Sequence, residues 1–150
     1  MPETMRPTIP VFVYLVSPDS SVYLQRRLNP GYLDGYYEPP AGKVDYAEFP
    51  RLAACREVRE EAGVEINPTD LELFHSYINT SGDDPWLGLM YRTRKWSGSP
   101  RIMEPDKCDS SGFFNIDSLP KVTPQVADGI GRLMTAQSIE MSEYDSIAIV

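Results

Sequence analysis

The chain has 150 residues and a formal net charge of −8, with 41% hydrophobic and 24% charged residues. That length suits one domain with its own core, and the composition is ordinary for a globular protein. The charge argues against broad, sequence-independent binding to nucleic acid, which depends on Lys and Arg neutralising phosphates, and no apolar run reaches the length of a membrane span. Two cysteines, Cys55 and Cys108, do not make a disulfide framework. The first residues lack the apolar stretch of a secretory signal, so the expected compartment is cytoplasmic.

Ile9 to Ser17 is an apolar, β-rich run that predicts a buried strand. Pro18-Asp19-Ser20-Ser21 predicts a turn, and Val22 to Arg27 a second strand. Asn29-Pro30-Gly31 and Asp34-Gly35 mark a long loop that leads to an extended piece at Tyr36 to Glu38. Glu38-Pro39-Pro40-Ala41-Gly42 reads as a loop, because two consecutive prolines exclude regular helix. A helix follows over 50–62, with Pro50 in its first turn and Gly63 at the left-handed position that closes it. Leu71 to Ile78 reads as a strand, Asn79 to Pro85 as a polar loop, and Trp86 to Trp96 as a strand bent at Gly88. Gly112 to Ile116 is a short strand. Thr123-Pro124 opens a second helix as N-cap and N1. Val126, Ile130, Leu133 and Met134 form its apolar stripe, while Gly129 and Gly131 weaken it. Residues 138–150 carry no firm pattern, although Ile147-Ala148-Ile149-Val150 is apolar enough to dock as an edge strand or on a partner subunit. The expectation is one α/β domain over 1–150, its core at about 8–137, with a mixed β-sheet between helices.

One segment carries chemistry. Gly42 is followed at fixed spacing by Glu48, Arg56-Glu57-Val58, Glu60-Glu61 and Gly63-Val64. On a helix, Glu57, Glu60 and Glu61 stand at i, i+3 and i+4, which is one face. Glu57 and Glu61 form a like-charge i, i+4 pair, which costs a few tenths of a kcal/mol. Such a local conflict calls for compensation, and a hard dication supplies it, since carboxylate oxygens suit Mg²⁺ or Mn²⁺. The plain alternative is a solvated acidic face, the usual meaning of a Glu-rich helix. The segment matches G-x5-E-x7-R-E-U-x-E-E-x-G-U, U being a bulky aliphatic, at every fixed position. The chain therefore resembles the Nudix hydrolases, which use divalent metal ions to cleave a nucleoside diphosphate linked to another group.

The resemblance implies an α/β/α sandwich, a small nucleotide substrate, and Mg²⁺ or Mn²⁺ as cofactor. It implies that Glu57, Glu60 and Glu61, with the carbonyl before the box glycine, hold the metal. Here that carbonyl belongs to Ala41, where many relatives have glycine. Arg56 is expected to orient the glutamates, and Glu48 to support the loop or join the outer metal shell. Which glutamate acts as base and which as ligand stays open. A homodimer is a candidate assembly, since Nudix enzymes are often dimers.

Glu104-Pro105-Asp106-Lys107-Cys108 is similar to a segment of MutT-like nucleoside-triphosphate pyrophosphatases. Glu104, with Asp106 second, is the candidate for a loop carboxylate that reaches the metal or acts as base; a charged surface turn is the alternative. Arg26 and Arg27 end a strand near the box, and arginine matches phosphate geometry. Tyr36, Tyr37, Phe113 and Phe114 are candidates to stack on a base, Tyr37 and Phe113 foremost, with core or rim packing the commoner use of an aromatic; Gly42 is a candidate to contact substrate. Cys55 reads as a small buried hydrophobe and His75, the only histidine, as structural.

Overall fold

Pro10–Leu15 (β1) is buried at every position, because it lies inside a sheet with a layer against each face. The computed structural model describes residues 3–28 and 33–145. The Asn29-Pro30-Gly31 turn and the docking segment Ile147–Val150 lie outside these. The remaining strands are Ser21–Arg27 (β2), Tyr37–Glu38 (β3), Ala41–Lys43 (β4), Glu72–Asn79 (β5), Trp86–Thr93 (β6) and Cys108–Asn115 (β7), with helices Pro50–Ala62 (α1) and Pro124–Arg132 (α2). The first sheet has the order β4-β1-β6-β5 and is mixed, with β1 parallel to β6 and its other pairs antiparallel. The second, β3-β2-β7, is antiparallel.

Period-two alternation along β1 divides the core. Val11, Val13 and Leu15, with Leu73, Leu89 and Tyr91, pack on Ala53, Ala54, Val58 and Ala62 of α1. Phe12, Tyr14, Phe74 and Met90 face Val126, Ile130 and Leu133 of α2. Each fully buried aliphatic side chain contributes about 1.5–3 kcal/mol, and a register slip of one residue would turn each set toward the wrong helix. The α/β class and the two helices agree with the sequence. Among the described residues no helix is long and apolar enough to cross a membrane.

Several elements differ from their sequence patterns. The Glu38–Gly42 segment is not all loop: β3 pairs with β2 and β4 pairs with β1, while Pro39-Pro40 carries the chain from one sheet to the other. Proline is tolerated here because both strands lie at sheet edges, where a missing N–H leaves no ladder partner unmet. β7 begins at Cys108, before the expected Gly112, because pairing with β2 overrides the weak strand propensity of Asp109-Ser110-Ser111. β6 ends at Thr93, and the irregularity falls on β5 between Leu73 and His75, not at Gly88. Of the 138–150 segment, Ile139 donates its N–H to the Leu73 carbonyl of β5 at 2.7 Å and Glu143 lies 3.8 Å from Arg51 of α1. His75 faces Asp128 of α2 at 3.3 Å.

Gly131 lies in the exposed last turn of α2, where an added methyl group would meet nothing within 4 Å. Gly131→Ala is expected to stabilise the fold by roughly 0.5–1 kcal/mol through helix propensity. A chemical denaturation midpoint that fails to rise would contradict the helical assignment of that turn.

Candidate active site

Pro50 at the first helical position and Gly63, with φ of 69°, at its end delimit α1. Three alanines on the buried face let the helix approach the first sheet closely. That approach brings Glu57 and Glu61 against the edge strand β4. A Cβ built on Gly42 would fall 2.0 Å from the Glu57 carboxyl carbon, so a side chain at 42 and a carboxylate in this position exclude each other. Ala41 donates its N–H to Glu61 Oε2 at 2.9 Å. Val13 N–H bonds to Pro40 O and Val44 N–H to Ile9 O, which makes Phe12–Ala41 a non-hydrogen-bonded pair. Both polar backbone groups of Ala41 therefore point off the sheet edge, and its carbonyl leaves on the side where its N–H meets Glu61.

The electrostatics of the two glutamates follow from this packing. Burial pushes the Glu61 carboxyl up to about 8; the Ala41 N–H opposes this, while nearby Glu57, Glu38 and Glu104 add to it. Burial also raises Glu57, against the pull of Arg56, with Glu60 and Glu104 adding repulsion. Arg56 is the cationic hub of the segment. It binds both oxygens of Glu48 at 2.8 and 2.9 Å, Glu57 Oε1 at 2.8 Å, Glu60 Oε2 at 3.3 Å and the Lys43 carbonyl at 3.1 Å. Glu48 also accepts the Asp45 N–H at 3.1 Å, which closes the loop before α1. Glu60 shares the helix face but is 54% exposed. It leans toward Arg56, so the expected convergence of three acids is in this geometry a pair, with the third at its rim.

The second sheet supplies further acids. Glu104 begins a turn in which its carbonyl accepts the N–H groups of Lys107 and Cys108, and its carboxylate pairs with Lys107 Nζ at 3.0 Å. Asp106 is exposed on the same turn. Glu38 on β3 pairs with Arg27 at 2.6 Å. Sequence reasoning placed Glu38 at the end of an extended piece, where the proline loop begins, and gave neither it nor Cys108 a place at the site. Burial, followed by Glu61 and Glu38, pushes the Cys108 thiol up to about 11. The signal for both lay in the pairing of β2, which sets Gln25 opposite Glu38 and Arg27 opposite Cys108; no single-chain pattern announces that register.

A cavity of about 690 Å³ opens on the other side of β4. Phe12, Tyr77 and Trp86 form its apolar wall, Asn79, Thr123 and Gln125 give polar edges, and Arg27, Glu38, Ala41, Gly42 and Lys43 line the end that adjoins the glutamates. Of the sequence candidates, Arg27, Ala41 and Gly42 thus line this space. Arg26 instead pairs with Asp109 at 2.7 Å. Tyr37 stands edge-on to Phe114, with its hydroxyl 3.2 Å from Ser110 Oγ. Phe113 stacks on Trp96 and touches Tyr23, on the side of β7 opposite Phe114. The strand alternation that places Phe114 against Tyr37 turns Phe113 away.

Among the described residues no group of three or more His, Cys, Asp or Glu side chains is gathered so as to hold a metal ion by itself. The donor set nevertheless suits a hard dication. Two partly buried carboxylates and an outward carbonyl are oxygen donors, and Arg56 bonds to Glu57 but not to Glu61. Mg²⁺ commonly takes one or two carboxylates and leaves its other positions to water and substrate phosphates.

A family model described as "NUDIX domain" matches residues 6–135. The chain is 30% identical over 112 residues to an NAD-capped RNA hydrolase NudC of Stutzerimonas stutzeri, a match covering 74% of this chain but 38% of that relative. The chain thus spans well under half the length of that relative. It is 26% identical to the 8-oxo-dGTP diphosphatase of Escherichia coli, across 77% of this chain and 89% of that one. Among solved structures, a MutT NUDIX hydrolase from Burkholderia pseudomallei superimposes with a TM-score of 0.76 at 27% identity, covering 87% of this chain and all of the other. An unbroken acidic box on a loop–helix unit, a mixed sheet between two helices, and a family match over nearly the whole described chain give one conclusion: the protein belongs to the NUDIX domain family of hydrolases.

Proposed function

We propose that this chain hydrolyses a phosphoanhydride bond of a nucleotide, and specifically that it cleaves a nucleoside triphosphate to a monophosphate and pyrophosphate. The observation that carries the reading is the shared wall of β4: Ala41 and Gly42 contact the glutamate pair and also line the cavity. A nucleoside in the cavity would hold its phosphates across that wall. Similarity to the Escherichia coli 8-oxo-dGTP diphosphatase, across 89% of that protein, supports the triphosphate. The NudC relatives favour a second reading, cleavage of a dinucleotide pyrophosphate such as the cap of NAD-capped RNA.

Glu57, Glu61 and the Ala41 carbonyl would hold Mg²⁺ or Mn²⁺, with Glu60 at the rim. When bound, the dication supplies positive charge that offsets the phosphates. Arg56 orients Glu57, Glu60 and Glu48 through its fork of donors. Arg27, already held by Glu38, would meet the phosphates at the cavity end. Glu104, on the turn before β7 and paired with Lys107, is 32% exposed. It would take the proton from the water that attacks phosphorus. Phe12, Tyr77 and Trp86 offer flat apolar surface to a base, a role that Phe113 and Tyr37 do not fill from their positions. Positioning and charge neutralisation supply most of the rate in phosphoryl transfer. Incubation with Mg²⁺ and a panel of nucleoside triphosphates, NAD and ADP-ribose, followed by product analysis, tests the reading. Pyrophosphate release from a triphosphate is the expected result, and turnover of NAD alone would replace it with the second reading.

Glu61→Gln should lower Mg²⁺-dependent turnover at least about 100-fold while the far-ultraviolet circular dichroism is unchanged, given that even outer partners of a metal site cost 10–100-fold. Wild-type-like turnover would remove Glu61 from the mechanism.

Gly42→Ala should push the Glu57 carboxylate out of place. The expected outcome is a large fall in turnover with a small change in melting temperature; equal activity would show that Glu57 moves at no cost.

The raised Glu61 carboxyl also gives a pH dependence. Its folded value of about 8 lies above the unfolded value of 4.5, so between these the folded state binds more protons. Stability of the metal-free protein should therefore fall as pH rises from about 5 to 8, with Glu57 and Glu38 acting in the same direction. Mg²⁺ favours the ionised form and should flatten the slope, as should Glu61→Gln. Melting curves that rise over this range without metal would contradict the burial of an unpaired carboxyl.

A further inference from the structure

Gln25 is one of the few buried polar side chains among the described residues, at 3% exposure. It lies in β2 between Glu38 on β3 and Ser111 on β7. Its side chain leaves the second sheet and reaches the last turn of α1. Nε2 donates to the Glu61 carbonyl at 2.9 Å and to Tyr23 Oη at 3.0 Å, with the Arg101 carbonyl at 3.5 Å. A backbone carbonyl can only accept, so the amide must turn its nitrogen toward the helix. The Glu61 carbonyl takes a second hydrogen bond from the Met103 N–H at 3.2 Å, and the Ala62 carbonyl takes the Arg101 N–H at 3.0 Å. These acceptors belong to the last turn of α1, whose carbonyls have no partner within the helix. The segment that leads into Glu104 is therefore fastened to the same residue whose carboxylate lies at the centre of the site.

We propose that Gln25 is a positioning residue: its amide locks the last turn of α1 to the second sheet and so sets the separation between Glu57 and Glu61 on the helix and Glu104 and Glu38 on the sheet. The inference rests on the reading of these acids as a dication site. Gln25 lies outside the acidic box and outside the cavity lining, so neither the motif nor the pocket assigns it a role. The Glu61 carbonyl receives both Gln25 Nε2 and the Met103 N–H, so the amide and the segment leading to Glu104 meet on one residue of the helix. Arg27, Arg56 and Lys107 each pair with one of these acids, whereas the Gln25 amide ties the helix to the second sheet without adding charge. Attachment of Glu61 is thus double: its carboxylate is held by the first sheet through Ala41, its carbonyl by the second through Gln25.

The test is Mn²⁺ binding to the folded, metal-free protein without substrate, read by titration calorimetry, together with amide exchange at Met103. Gln25→Met keeps the length and removes the donor. It should weaken Mn²⁺ binding roughly 10- to 100-fold, the range for partners behind a metal ligand, and speed exchange at Met103. In turnover, kcat should fall more than KM changes. Tyr23→Phe removes the other partner of Gln25 without touching the helix and should bind Mn²⁺ as the wild type does. A Gln25→Met protein that only melts lower, with Mn²⁺ affinity intact, would overturn the proposal. Should that variant fail to fold, the wild type still decides: the Gln25 side-chain NH₂ protons should exchange slowly and shift when Mg²⁺ is added, and an absent shift refutes the coupling. Wild-type protein that takes up no Mn²⁺ would overturn the dication reading itself, and the positioning role with it.

Discussion

Glu61 is a carboxylate taken out of water and hemmed in by its own kind, and the site is organised around that tension. Burial alone raises it, and Glu57, Glu38 and Glu104 push in the same direction. One neutral N–H, from Ala41, opposes them directly. An ion pair would relieve the tension for good, yet the arginine of the segment is turned to Glu48, Glu57 and Glu60 instead. The fold thus holds a carboxyl that keeps its proton up to about pH 8 on its own and whose ionised form a bound cation would favour.

Two sheets and one helix share the work of keeping that arrangement in place. β4 is a strand of only Ala41–Lys43, but it forms the partition between the helix acids and the cavity. A side chain at Gly42 would displace the Glu57 carboxylate, which occupies that space. Ala41 needs no particular side chain for its polar role; both of its backbone groups already face off the edge. Its methyl group packs with the α2-side core. The alanine found where many relatives have glycine is therefore compatible with the loop geometry.

The second sheet has a less visible part. It brings Glu38 and the Glu104 turn to the helix, and it carries the aromatic pairs Tyr37–Phe114 and Phe113–Trp96 on its opposite faces. Arg26 and Arg27 illustrate the same alternation: one pairs with Asp109 on the exposed side, the next with Glu38 at the cavity. Neighbours in sequence acquire separate surroundings because the strand turns each successive side chain to the other face.

Local chemistry was legible in the sequence wherever it depends on residues close along the chain. The span of α1 follows from Pro50 and Gly63, the acidic face from i, i+4 spacing, and the buried β1 from its unbroken apolar run. The box spacing, matched throughout, was enough to identify the family. What the tertiary structure decided depends on strand pairing, which relates residues far apart in the chain. It split the predicted mixed sheet from a second antiparallel one, turned part of a proline-bearing loop into two edge strands, set Glu60 at the rim of the glutamate pair, and moved Phe113 away from the cavity. It also brought Glu38, Cys108 and Gln25 beside Glu61. Periodicity tells which residues share a face; only the register between strands tells which faces meet.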